Sequence, residues 1–192
     1  MRFLVLMGSP RPQRNTAEVC KNFISRLGEL GQEVQYLQLS KLNIASCKGC
    51  YSCQNVTGEY GCPQKDDMYK VVEEVLRADC IVLATPIYTW YCTAEMKLVL
   101  DRFYGMNKFY GTGEGRLWEG KAMAVISTHG YPREQAADTF ETGIERLCRH
   151  SDLRWLGGMS LRDEDDYDSF VTPEAVKSAR DFADELVLAL KR

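Results

Sequence analysis

No run of apolar residues in this chain approaches the length of a membrane span, and the charge at Arg2 is followed by too short an apolar stretch for a signal peptide. A cytoplasmic location with no membrane partner is the expectation. Surplus positive charge is missing too, and a net charge of -3 argues against a general nucleic-acid binder. Both common nucleotide motifs, the Walker A loop and the G-x-G-x-x-G fingerprint, are absent. The acidic run Asp163–Asp168 lacks EF-hand spacing and reads as a solvated loop. Neither an internal repeat nor a domain linker breaks the chain. Residues 1–192 are expected to form a single domain, and 45% hydrophobic residues let it bury a sizeable core.

What is present begins at Met1. Phe3–Met7 is a nearly unbroken apolar run, as expected of a strand buried on both faces in a parallel sheet. It stops at Gly8, where Gly8-Ser9-Pro10 makes a sharp turn. Arg11 and Arg14 add positive charge, and Asn15 or Thr16 can cap the helix that follows. Free N–H groups at a helix start, hydroxyls and guanidinium forks suit an anion of phosphate size. An ordinary strand-turn-helix with a polar cap would read the same way.

Along the chain, helix-spaced apolar residues run from Asn15 to about Leu30, and Glu33–Leu39 alternates as a strand. Between Ser40 and Lys65 neither period is visible, which marks a functional insertion, at about residues 40–65, that carries four of the eight cysteines. Asp66 and Asp67 open a helix. Cys80–Ala84 is a third strand that exits into Pro86–Tyr91 and then a helix through Phe103. Phe103–Gly120 is rich in glycine and aromatics and reads as a flap or part of an interface. Lys121–Ser127 is a fourth strand with the exit loop Thr128–Tyr131, a helix follows from about Arg133 to His150, Leu153–Leu156 with Gly157-Gly158 reads as a fifth strand, and Thr172-Pro173 as the cap of a last helix ending near Leu190. Five strands alternating with helices predict an α/β fold, a doubly wound parallel sheet of order 2-1-3-4-5 with helices on both faces. Ligands bind at the carboxyl ends of such strands, where three exits converge: Gly8–Thr16, Pro86–Tyr91 and Thr128–Tyr131.

These residues resemble a known family, the flavodoxin-like NADPH-dependent FMN reductases, and within it the branch that includes the iron-sulfur flavoproteins. The resemblance is carried by G-S-P-R-P-Q-R-N-T (Gly8–Thr16), C-K-G-C-Y-S-C (Cys47–Cys53), G-C-P-Q-K-D-D-M (Gly61–Met68), A-D-C-I-V-L-A-T-P-I-Y (Ala78–Tyr88) and the K-x-x-x-D-R of Lys97, Asp101 and Arg102. It implies FMN phosphate on Ser9, Arg11, Asn15 and Thr16. It further implies an isoalloxazine ring lined by Pro86, Ile87, Tyr88 and Trp90, with Thr128, His129 and Gly130 at its pyrimidine edge. The chemistry agrees, since a flat ring needs wide side chains and donors at the pyrimidine end would favour the reduced flavin. For Tyr88, Trp90 and Tyr91, plain packing is the competing reading.

The spacing C-x2-C-x2-C-x8-C of Cys47, Cys50, Cys53 and Cys62 has the compact half of a ferredoxin-like [4Fe–4S] binder. Four thiolates could equally hold zinc, and relatives with much of this pattern bind FMN alone. Cys20, Cys80, Cys92 and Cys148 fall in apolar patterns and are expected to act as small buried hydrophobes. The resemblance implies an FMN-dependent oxidoreductase that takes hydride from NADH or NADPH and passes it to a small acceptor such as a quinone, free flavin, azo or nitro compound, or metal ion. The alternative is an iron-sulfur flavoprotein that exchanges electrons with a ferredoxin-like partner. No catalytic side chain is expected, because the flavin carries the chemistry. A homodimer or homotetramer is the expected assembly.

Overall fold

The three apolar runs become the centre of the sheet because they are the segments that can be buried on both faces. The computed structural model describes residues 1–108, 115–163 and 170–192. In it β1 (Arg2–Met7), β3 (Cys80–Pro86) and β4 (Ala122–His129) are flanked by β2 (Glu33–Gln38) and β5 (Arg154–Arg162). The strands are parallel, in the order β2-β1-β3-β4-β5. This is the flavodoxin-like arrangement, with its switch point beside β1. Leu4 pairs with Gln35 on one side and Ile81 on the other, and Leu6 with Leu37 and Leu83.

Alternation of side chains along each strand divides the core in two. Leu4, Leu6, Ile81, Leu83, Met123 and Val125 face α2 (Met68–Arg77), α3 (Ala94–Arg102) and α5 (Asp138–His150). Phe3, Val5, Met7, Val82 and Ala124 face α1 (Asn15–Glu29) and α6 (Pro173–Leu190), where Phe23 and Phe182 meet with ring centroids 6.0 Å apart. Each of these fully buried large side chains contributes roughly 1.5–3 kcal/mol by leaving water. Thr172 caps α6 as expected, its hydroxyl accepting from the Ala175 N–H at 3.1 Å, with Pro173 next in the first turn.

Several expectations need correction. The segment 133–150 is not one helix: α4 (Arg133–Ala136) ends at Ala137, which is also the N-terminal flank of α5. The fifth strand is longer than Leu153–Leu156, because Gly157, at φ +93°, is accommodated as a bulge between the pairs Met123–Trp155 and Val125–Gly158. The glycine pair therefore lies inside the strand, which continues to Arg162. Neither Asn15 nor Thr16 caps α1. Arg14 occupies the cap position, with no side-chain hydrogen bond to the helix. Within the stretch Phe103–Gly120, expected as a flap or part of an interface, Phe103, Lys108 and Trp118 are buried in the chain's own interior and Phe103 packs on Trp118 with ring centroids 4.8 Å apart. Residues 109–114 of that stretch, and most of the acidic run at Asp163–Asp168, lie outside the described residues. Among the described residues no helix is long and apolar enough to cross a membrane.

Candidate functional site

The three strand exits do converge, and they are braced against one another. Gly8 N–H donates to the Ala84 carbonyl at 2.7 Å, Ile87 N–H to the Thr128 carbonyl at 2.8 Å, and the Thr16 and Thr128 hydroxyls lie 2.8 Å apart. Glycine is required at position 8 by close approach, for a Cβ there would lie 2.9 Å from that of Met96 on α3. The Thr93 hydroxyl donates to the Gly8 carbonyl at 2.6 Å and also caps α3, so one side chain fixes both the first loop and that helix.

The resulting cleft is lined by Ser9, Arg11, Asn15 and Thr16 from the first exit, Pro86, Ile87 and Tyr88 from the second, and Thr128, His129 and Gly130 from the third. Arg14 and Asp163 line it as well. Ser9 is buried and its hydroxyl accepts from the Arg11 N–H at 3.2 Å, which tightens the turn. The uncapped start of α1 and two exposed guanidinium groups give this end of the cleft a positive field suited to an anion.

Asp163 went unnoticed in the sequence because it reads there as part of a solvated acidic loop. The extended β5 delivers it to the cleft instead, where its Oδ2 accepts from the Asn15 amide at 2.6 Å. Its Oδ1 is buried and has no partner among the described residues. An unpartnered acceptor beside a positive loop fits a ligand that has a phosphate at one end and hydroxyls next to it, as FMN does.

Trp90 is the exception among the expected ring-lining residues. Tyr88 and Tyr91 exchange backbone hydrogen bonds at 2.8 and 3.0 Å around Thr89 (φ +50°) and Trp90 (φ +62°), a tight turn with two left-handed central residues. Such turns favour Asn-Gly, so Thr-Trp here is strained. The turn leaves the Trp90 ring 55% exposed and stacked on Tyr131 (centroids 6.2 Å, planes 12° apart), in a smaller hollow that shares Ile87, His129 and Gly130 with the cleft.

His129 lines the cleft with its ring already engaged. Its Nδ1 lies 2.6 Å from the Tyr131 carbonyl, which can only accept, so Nδ1 carries the proton and Nε2 accepts from the Ser160 hydroxyl. Burial pushes its pKa below the ordinary value of 6.5 and the imidazole is neutral. Both ring nitrogens are committed within the protein, Nδ1 to the exit loop at Tyr131 and Nε2 to Ser160 on β5, and any contact this residue makes with a ligand falls to its backbone or ring face.

The cysteine insertion is built differently. Apart from a 3-10 turn at Ser52–Asn55 it follows no regular element. Gly61 takes a positive φ where a Cβ would strike Val56 at 2.5 Å, and it sets the chain direction just before Cys62. Cys47 and Cys50 are exposed, Cys53 is half-buried and Cys62 buried, and all are free thiols. The Cys50 thiol is held below its ordinary pKa by hydrogen bonds from the Ser52 hydroxyl and N–H, with Lys48 adding to the effect. All four cysteines line one small cavity together with Tyr60, Arg102 and Gly105. Among the described residues no three of them converge closely enough to hold a metal ion as they stand. The donor set nevertheless suits a thiolate-bound group once the exposed Cys47 and Cys50 turn inward. By contrast Cys20, Cys80, Cys92 and Cys148 are buried, and burial raises their pKa values, to about 12 at Cys92 and Cys148. They act as small hydrophobes, as expected.

Below the cavity lies a buried polar lattice. Arg102 of α3, 2% exposed, donates to Asp66 at 2.8 and 3.1 Å, to the Ala45 carbonyl at 2.9 Å and to the Tyr60 hydroxyl at 3.2 Å. Burial alone would raise the Asp66 pKa, but Arg102 and the N–H groups of Ala45 and Met68 outweigh it and hold the carboxyl below its ordinary range.

A parallel sheet of this order with an anion-binding loop at its switch point and aromatic walls beside it defines a flavodoxin-like protein built to hold a phosphorylated planar cofactor. The model of the NADPH-dependent FMN reductase family matches residues 1–142, and the chain belongs to that family. An iron-sulfur flavoprotein of Archaeoglobus fulgidus is 38% identical over 102 residues, covering 53% of this chain and 48% of that protein. A second from the same organism is 33% identical over 138 residues, covering 71% and 59%. The chain thus spans about half to three fifths of the length of these curated relatives. The solved structure of an NAD(P)H:quinone oxidoreductase from Methanothermobacter marburgensis superposes with a TM-score of 0.72 at 22% identity, covering 97% of this chain and 96% of that one, a likeness of fold.

Proposed function

We propose that this chain is an FMN-dependent NAD(P)H oxidoreductase whose acceptor is a small molecule such as a quinone, free flavin, azo or nitro compound, or metal ion. The observation that carries this reading is the convergence in one cleft of the uncapped α1 start, Arg11, Arg14 and the unpartnered Asp163 oxygen with the walls at Pro86–Tyr88. Ser9, Arg11, Asn15 and Thr16 would hold the phosphate, Asp163 a hydroxyl of the linking chain, and Pro86, Ile87 and Tyr88 the ring. Thr128, His129 and Gly130 would meet the ring's polar edge. FMN held by these residues would supply the redox chemistry that links NADH or NADPH to the acceptor. The protein's share is to fix the ring, leave one face open and keep His129 neutral, so that no side-chain acid is needed. The cytoplasm and a homodimer or homotetramer are the proposed setting.

A second reading is favoured by one observation, the four cysteines around one cavity. On it, Cys47, Cys50, Cys53 and Cys62 would hold a [4Fe–4S] cluster that exchanges single electrons, and the protein would act as a carrier with a ferredoxin-like partner. Anaerobic purification and an absorption spectrum decide between them. Flavin bands alone favour the reductase, and an added broad brown absorbance favours the carrier. Protein that binds no added FMN would sink both readings. Anaerobic NAD(P)H consumption then tests donor and acceptor.

A further inference from the structure

One buried cation has no counter-ion among the described residues. Arg102 is neutralised by Asp66, whereas Lys108 is 1% exposed and has no described carboxylate within 4.0 Å. Its ammonium donates to two carbonyls, those of Cys53 and Tyr60, each at 2.8 Å. Enclosing an ammonium without an opposite charge is costly, and a fold that needed only to tie two carbonyls together could use a neutral amide. It does so next door: the Gln54 amide donates to the carbonyls of Tyr104 at 3.0 Å and Asn107 at 2.8 Å, a similar bridging task without charge.

Burial is the largest influence on the Lys108 ammonium and holds its pKa below the ordinary 10.5, while Cys53, then Glu59, then Cys62 act in the opposite direction and favour the charge. Glu59 is exposed, so water screens it, while Cys62 is buried and Cys53 half-buried. The opposite charge missing from the interior is therefore one that these cysteines supply when they are thiolates. Four thiolates around a divalent metal ion, or around an iron-sulfur cube, leave a net negative group.

We propose that Lys108 is the counter-charge of the cysteine cradle, a positioning residue whose buried ammonium fixes the backbone at Cys53 and Tyr60 and offsets the negative charge that Cys47, Cys50, Cys53 and Cys62 carry around a metal centre. This rests on the metal-centre reading of the cradle. Lys108 touches no metal ligand atom. It lowers the electrostatic cost of gathering four thiolates, which accounts for cysteines that line a common cavity without yet converging.

The test is titration of the reduced, chelator-stripped full chain with Co2+ under anaerobic conditions, read by the thiolate-to-cobalt charge-transfer absorbance. Wild type is compared with Lys108→Gln, which keeps two donors and loses the charge, and Lys108→Arg, which keeps the charge. The expected result is Co2+ binding about 10–100-fold weaker in K108Q, the range typical of outer-shell partners, and largely retained in K108R. Metal-free K108Q should show unchanged FMN binding and far-UV circular dichroism. If K108Q does not fold, Lys108→Met, of similar volume, is read in the same way. Wild-type affinity for Co2+ in either charge-removing variant would overturn the proposal and leave Lys108 a tether. A wild-type chain that takes up neither Co2+ nor iron with sulfide would overturn the metal-centre reading and this proposal together.

Discussion

The cleft at the strand exits and the cysteine cradle are two candidate sites on one chain, held in place by opposite means. The cleft is built on the ends of β1, β3 and β4, all buried, and its three loops are stitched by short hydrogen bonds between backbone groups and small hydroxyls. Its residues already face one space. The cradle has almost no regular structure and is fastened from below by charge: Arg102 with Asp66, and Lys108 against two carbonyls. Its thiols share a cavity but have not converged. A site made of sheet ends is rigid before its ligand arrives, whereas a site made of loop over buried charge is completed by what binds there.

The largest effect that would sharpen this contrast is at Arg102. Arg102→Met leaves the half-buried Asp66 carboxylate without its cation and with only the Ala45 and Met68 N–H groups, and a loss of about 3 kcal/mol is expected in denaturant unfolding. Proteolysis should open first within residues 40–65. Equal protection of cradle and sheet in that variant would mean the charge lattice is not what fastens the loop. At the cleft, Arg11→Ala combined with Arg14→Ala removes two charged donors from the surface without touching the core. FMN affinity should fall by about 2–4 kcal/mol, with unfolding unchanged within error. Full flavin retention would mean the anion site has been placed wrongly.

The same contrast explains what could be read from the sequence. β1, β3 and β4 were legible because each is an apolar run with no competing period, and the switch-point cleft followed from strand order. Asp163 was not legible. Its place depends on a bulge at Gly157 that lengthens β5, and a glycine pair gives the same signal for a strand end as for a bulge. Trp90 was legible as an aromatic near the site but not as one turned aside, because a Thr-Trp pair carries no hint of a left-handed turn. Lys108 carried no signal of its own, since nothing in the sequence distinguishes a lysine of that glycine- and aromatic-rich stretch that is buried from one that is not.

A smaller effect lies in that turn. Replacing Thr89 by Asn and Trp90 by Gly supplies the residues a turn of this shape favours, and relief of strain should stabilise the protein by about 1–3 kcal/mol in thermal or denaturant unfolding. The stack on Tyr131 is lost in the process. If the strain is kept for the site, stability rises while turnover of planar acceptors falls and FMN affinity holds. A rise in stability with unchanged turnover would show that the stack serves no substrate.

Acid should separate the two regions by a margin smaller still. His129 is neutral in the fold with a pKa below 6.5, so the unfolded chain binds more protons in the window below that value. Its contribution is complete above 6.5 and is lost as pH falls, because burial disfavours the charged ring. Asp66 shifts downward from 3.8, so its contribution is present above that value and is lost only as pH drops through its lowered folded-state pKa. The cleft should therefore loosen first, with flavin released at a pH where the Arg102–Asp66 lattice still stands. In His129→Gln, which costs about 0.5–1.5 kcal/mol at neutral pH through altered hydrogen bonds, the decline of stability just below 6.5 should flatten while the later, more acidic decline persists. Flavin fluorescence and circular dichroism followed on one acid titration would read both limbs, and coincident limbs in wild type would mean that cleft and cradle open as one cooperative unit.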